Sequence, residues 1–216
     1  AAFEEAFQRP GETSERRFKV YLFRGQPGFM QYMEDLGDLG GPVHVNVAGI
    51  YSTLLKQLLI WNLPNREMML RTVRHEGLHQ YLDEFLPAIP PWFNEGLAEY
   101  FEHGHRTGAK LCFGRIRHDY VKLLRSQPTM PVGRFLYLPP RQFYAGGIPN
   151  YAKAWALVHM FKHGSAERQA VFQGLLKDLE TRAPWDALNR AFADVDIDAL
   201  DGELKAYLDE LAEGSS

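Results

Sequence analysis

His75, Glu76 and His79 stand in a five-residue run, His75-Glu76-Gly77-Leu78-His79, whose spacing suits metal-assisted hydrolysis if the run is helical. Residues four apart on a helix lie about 40° apart around its axis, one turn above each other, so both imidazoles can reach one ion. Glu76 then points roughly 100° away, too far round for a natural third ligand but well placed to accept a proton from a water on the metal. The competing reading is a pair of histidines on a buried helical face. The flanks argue for the helix: Met68, Thr72, His75, His79, Leu82 and Leu86 follow a 4-3-4-3-4 spacing along one stripe, with the histidines mid-stripe and facing inward.

Two histidines leave a catalytic zinc one protein ligand short, since such sites take three and keep a position open for water. Fifteen residues separate His79 from Glu95: the end of one helix, a reversal over Pro87 to Pro91, and the first turn of the next helix. Two packed helices could then present His75, His79 and Glu95 to one point, with Glu99 one turn further on to accept the outer N–H of a ligand histidine. Glu95, Glu99 and Glu102, at i, i+4 and i+7, are also what a solvated acidic face would show. His159 and His163 share the four-residue spacing, but no glutamate follows the first and the second adjoins a helix end, so they read as non-ligands. His44, His103, His105 and His118 lack metal spacing.

The elements that must position these residues follow from periodicity and breakers. Residues 1–17, polar with Pro10-Gly11, read as a short helix and a loop; Phe18 to Phe23 as a strand; Pro27 to Leu36 as a helix stopped by Gly37, Gly40 and Gly41. Val43 to Tyr51 and Gln57 to Trp61 read as two further strands around a turn at Ser52-Thr53. Asn65 is a candidate N-cap for the motif helix, which runs to Leu86, and Trp92 to His103 resumes helical character. Residues 115–125 look helical, 130–138 are ambiguous, and Pro139 to Asn150 reads as a punctuated loop that could flank a cleft. Asn150 then caps a helix to His163, and helices follow near 165–179, 184–192 and 197–212 before a loose tail.

Composition narrows the class. A chain of 216 residues that is 45% hydrophobic and 24% charged is expected to fold as one α+β domain, 1–216, with a sheet and site helices over 1–104 and a helical lobe over 105–216. No apolar run approaches the roughly 18 residues of a membrane span, and a net charge of -3 argues against a nucleic-acid surface. With Cys112 the sole cysteine there is neither an internal disulfide nor a cysteine-rich zinc site. Ala1-Ala2-Phe3 is not a basic, apolar leader, so an export signal is expected to be absent or already removed, and compartment and oligomeric state stay open.

His75-Glu76-Gly77-Leu78-His79-Gln80, followed by Pro91-Trp92-Phe93-Asn94-Glu95-Gly96-Leu97-Ala98-Glu99-Tyr100, resembles the gluzincin metallopeptidases, most closely the peptidase-MA-like bacterial proteins of unassigned substrate. The resemblance implies a zincin-like fold with the small N-terminal sheet packed on the motif helix, and zinc (Zn2+) held by His75, His79 and Glu95. It implies Glu76 as general base, and Asn94 and Glu99 as partners of the ligand histidines. Tyr151, opening Tyr151-Ala152-Lys153-Ala154-Trp155-Ala156-Leu157, corresponds to the family's oxyanion-stabilising tyrosine, against the alternative of a helix-start core aromatic. Tyr144 is the second candidate and, with Ala48 and Gly49 of the edge strand Val47-Ala48-Gly49-Ile50-Tyr51, an expected substrate-binding residue. The interval from His79 to Glu95 is shorter than in the best-known gluzincins, a departure that bears on cleft shape. The implied function is zinc-dependent hydrolysis of a peptide or protein substrate. The alternatives are a non-catalytic, zinc-stabilised binding or scaffold domain, and a hydrolase of a non-protein amide such as a peptidoglycan stem.

Overall fold

The computed structural model of the chain describes residues 7, 18–36, 48–108 and 110–214. The readings made on residues 1–6, 8–17, 37–47 and 215–216 therefore fall outside the described residues. Contacts group the chain into two units, one taking the described residues up to Phe85 together with Phe101–Cys112, the other Leu86–Tyr100 together with the chain from Phe113 onward. One of the three boundaries, between Tyr100 and Phe101, falls inside a helix.

The first unit is built on a three-stranded sheet in the order β1-β3-β2, with β1 at Lys19–Phe23, β2 at Gly49–Ser52 and β3 at Gln57–Trp61. β1 runs parallel to β3 with Lys19 opposite Gln57, and β2 runs antiparallel with Gly49 opposite Ile60. Leu58, Leu59 and Ile60 are all buried, the continuous apolar run that a strand covered on both faces requires. Phe29 and Met33 of helix α1 (Gln26–Asp35) pack with Leu59 on one face. By alternation Leu58 and Ile60 take the other face, the side of helix α2 (Arg66–Phe85), which packs on β2 and β3. Asn65 starts α2 as expected, its Oδ1 accepting the N–H of Glu67 at 2.9 Å and of Met68 at 3.1 Å. The expected inward stripe is inward only in part: Met68 is 54% exposed, His75 and His79 are half-buried, and Leu82 and Leu86 are buried. A short hairpin absent from the sequence reading, β4 (His105–Thr107) with β5 (Lys110–Cys112), completes the unit, turning at Gly108 with φ 62°. Three-residue strands carry too few positions for period-two alternation to register.

Helix α3 (Pro91–Glu102) contributes to both units. The second unit adds α4 (His118–Ser126), α5 (Val132–Phe135), α6 (Pro140–Ala145), α7 (Gly147–His163), α8 (Ala166–Leu179), α9 (Pro184–Ala191) and α10 (Leu200–Glu213). Every residue from Ala152 to Phe161 of α7 is buried, the mark of a helix surrounded on all sides, and α4, α6, α8 and α10 all pack on it. The segment expected as a loop, Pro139 to Asn150, is instead α6 and the first turn of α7. Its prolines start helices: Pro140 opens α6 and Pro149 lies in the first turn of α7, where no backbone N–H is needed. Asn150 is accordingly inside the helix, and its Nδ2 donates to the carbonyl of Phe143 at 2.7 Å. Among the described residues the chain is mixed α and β, mostly helical with two small sheets, compatible with the expected α+β class.

Candidate functional site

In the first unit α2 carries His75 and His79 with ring centroids 5.0 Å apart. His75 Nδ1 lies 3.1 Å from Glu102 Oε2. A carboxylate can only accept, so Nδ1 carries the hydrogen and the lone pair is left on Nε2. The second Glu102 oxygen, Oε1, is 3.4 Å from His103 Nε2. Burial works to raise the pKa of Glu102, but its hydrogen bonds with His103 and His75 outweigh that and hold it well below the usual carboxylate range. Arg74 of α2 donates to the backbone carbonyl of Glu102 at 3.1 Å, a cation at a helix C-terminus, where the dipole favours it.

Glu76 faces strand β2, where its Oε2 accepts the backbone N–H of Tyr51 at 3.0 Å. Beside it a cavity of about 260 Å³ is lined by Ala48, Gly49, Thr72, His75, Glu76 and Glu102. Gly49 makes this closeness possible: a Cβ there would stand 2.8 Å from Thr72 Cγ2 and 3.0 Å from Ile60 Cγ1 and from the carbonyl of Leu59. The structure thus brings Ala48 and Gly49 together with His75 and Glu76 around one cavity.

In the second unit Glu95 and Glu99 are 6% and 7% exposed. The solvated acidic face that their spacing allowed does not exist: both are buried, and each accepts hydrogen bonds from residues far along the chain. Tyr144 donates to Glu95 Oε1 at 3.0 Å. Glu99 Oε2 accepts from Arg117 Nη1 at 2.8 Å and from Tyr120 at 3.0 Å. Burial, reinforced by the Glu99 charge, holds the Tyr120 phenol above its ordinary range, so it remains a donor. Tyr151 sits at the start of α7 with its ring 5.6 Å from Phe143 and 6.5 Å from Tyr144. Asn94 is half-buried, next to Glu95 on α3. His159 has both ring nitrogens engaged, Nδ1 with the Tyr207 hydroxyl at 2.7 Å and Nε2 with the carbonyl of Gly114 at 3.2 Å, and His163 Nε2 pairs with the Tyr100 hydroxyl at 2.8 Å.

Among the described residues, the His and Glu side chains that could hold a metal ion are His75 and His79 of α2 and Glu95, Glu99 and Glu102 of α3. A larger cavity of about 900 Å³ between α4 and α10 is lined by none of them. Glu102 is the member to which the sequence reading gave no role. Its signal was available in the helical spacing, seven residues after Glu95 and on the same face of α3.

A family model described as a protein of unknown function (DUF1570) matches residues 69–186, more than half of the chain and a span that holds every one of these His and Glu residues together with Tyr144 and Tyr151. No curated protein matches the chain.

Proposed function

The chain belongs to the DUF1570 family of proteins of unknown function, and we propose that it is a zinc-dependent peptidase of zincin-like fold, with His75, His79 and Glu95 holding the ion and Glu76 as general base. The observation that carries this reading is the bond between His75 Nδ1 and Glu102, a carboxylate on the outer nitrogen of the ring. That arrangement sets the tautomer and raises the basicity of Nε2, as it does for histidines that ligate metals. The donor set fits the ion chemically: two imidazoles and one carboxylate are a common catalytic ligand set for zinc. Tyr144 donates to Glu95 Oε1 and so helps hold that carboxylate in place.

Zinc, when bound, supplies a Lewis acid that polarises a carbonyl and lowers the pKa of water. The remaining work belongs to the chain. Glu76, whose Oε2 is held by the Tyr51 amide, would take the proton of the attacking water at Oε1 and pass it to the leaving amine. Ala48 and Gly49, lining the cavity with Glu76, would receive the peptide backbone along β2. The Tyr151 hydroxyl would donate to the oxyanion; Tyr144, the second candidate, could do so only by giving up its bond to Glu95 Oε1.

The test is zinc content of the purified protein measured alongside cleavage of a diverse peptide library. We expect stoichiometric zinc and cleavage, with Glu76→Gln keeping the zinc and losing activity by about 10²- to 10⁴-fold. Undiminished turnover in Glu76→Gln would overturn the mechanism. Stoichiometric zinc without any cleavage would instead mark a binding domain, and cleavage confined to a peptidoglycan stem would change the substrate class.

A further inference from the structure

Tyr51 is gripped at two points by one face of α2. Its backbone N–H donates to Glu76 Oε2 at 3.0 Å. Its phenol donates to Asp83 Oδ2, an oxygen that also accepts from Lys56 Nζ. Glu76 and Asp83 are seven residues apart, two turns along the same side of the helix. Between these two carboxylates β2 lies in fixed register, Ile50 opposite Leu59 and Ser52 opposite Gln57.

This arrangement bears on how a flexible side chain is held. A glutamate has several rotatable bonds and loses rotamer freedom when fixed. A backbone amide has no rotamers of its own, and a hydrogen bond to an ionised acceptor is about twice as strong as a neutral one. The amide can hold Oε2 only if the peptide plane at Tyr51 is itself held: pairing with β3 holds it on one side, and the phenol adds a second anchor on the side of α2. Burial, and after it the bond to Asp83, holds the phenol above its ordinary range, so it stays a donor.

We propose that Tyr51 is a positioning residue for Glu76: its amide fixes Oε2 and leaves Oε1 to take the proton, and Asp83, neutralised in part by Lys56, anchors Tyr51 through its hydroxyl. The proposal rests on the reading of Glu76 as general base, and it adds the Tyr51 phenol and two further residues, Lys56 and Asp83, to which that reading gives no task.

The test uses Tyr51→Phe and Asp83→Asn, two independent ways to remove the anchor while keeping side-chain shape, with two readouts. The first is amide hydrogen exchange of the metal-free protein. The amide of residue 51 should be protected in the parent protein and exposed in Glu76→Ala. It should exchange at least about tenfold faster in either anchor variant, while the amides of Ile50 and Ser52, which alternate toward β3, keep their protection. The second is peptide cleavage, in which both variants should lose about tenfold in kcat at unchanged KM, as expected for a misplaced rather than missing catalytic group. Unchanged exchange at residue 51 in both anchor variants overturns the proposal, as does a loss confined to KM, or altered exchange with full kcat. If the parent protein cleaves no peptide, the peptidase reading falls, and the exchange arm still decides whether Tyr51 is held through Asp83.

Discussion

A histidine four residues from another on a helix is a local pattern, and whether it is a ligand depends on what touches the ring nitrogen that faces away from the ion. Here that contact is Glu102 Oε2 on His75 Nδ1. The two histidines and the glutamate between them were legible from spacing alone, because helical geometry relates residues one turn apart whatever the rest of the chain does. The roles of the three α3 carboxylates were not legible. The same i, i+4, i+7 pattern describes a solvated face and a buried row, and the choice was made by Arg117, Tyr120 and Tyr144, which lie well beyond α3 in sequence. At this scale Glu102→Gln is the informative change. It keeps an acceptor oxygen and the side-chain shape but removes the charge, so zinc affinity is expected to fall by about 10- to 100-fold, read by competition with a chelator, with far-UV circular dichroism unchanged.

Helix α3 is placed by a residue with no side chain. A Cβ on Gly96 would stand 2.4 Å from the carbonyl oxygen of Ala154 in α7 and 2.8 Å from Val158 Cγ2, so the two helices approach here too closely for any side chain. Gly96→Ala gains about 1 kcal/mol of helix propensity, but the obstacle is backbone and cannot rotate aside, so α3 must move. We expect a net loss of about 1–3 kcal/mol, read as a lower urea midpoint at constant m-value. Elements of this length were legible from their own sequences: the Asn65 cap, the α2 helix and the β3 run follow from periodicity and punctuation. The segment from Pro139 to Asn150 was misread because proline ends a helix in its interior and begins one at its first turn, and only the surrounding packing tells the two positions apart.

At the scale of the whole molecule, no described helix is long and apolar enough to cross a membrane, and α7, buried along its whole middle, carries a pH liability. His159 is 4% exposed. Burial, and then the charge of His163, depress its pKa to about 4, with the Gly114 carbonyl acting weakly the other way. Above the ordinary value near 6.5 the ring is neutral in both folded and unfolded states, and its contribution to stability is complete. Between about 6.5 and 4 the unfolded chain binds a proton that the folded one refuses, so stability falls with pH, by about 3 kcal/mol at the lower end. Urea unfolding at pH 7 and at pH 4.5 should show this loss, and His159→Gln should show a shallower dependence on pH. An equal dependence in the variant would assign the acid sensitivity to other groups.

By itself the sequence determined the longer elements and the His-Glu spacing on α2, since both depend on residues within a few turns of one another. It also limited the chemistry, because a single cysteine allows neither an internal disulfide nor a cysteine-rich metal site. Only the tertiary structure decided that Glu102 is the carboxylate on His75, that Glu95 and Glu99 are buried and hydrogen-bonded, and that Tyr51 ties Glu76 to strand β2. Each of these joins residues at least 18 positions apart. Burial and hydrogen-bond partnership at that separation are properties of the packed chain, and periodicity, which sees only one element at a time, carries no record of them.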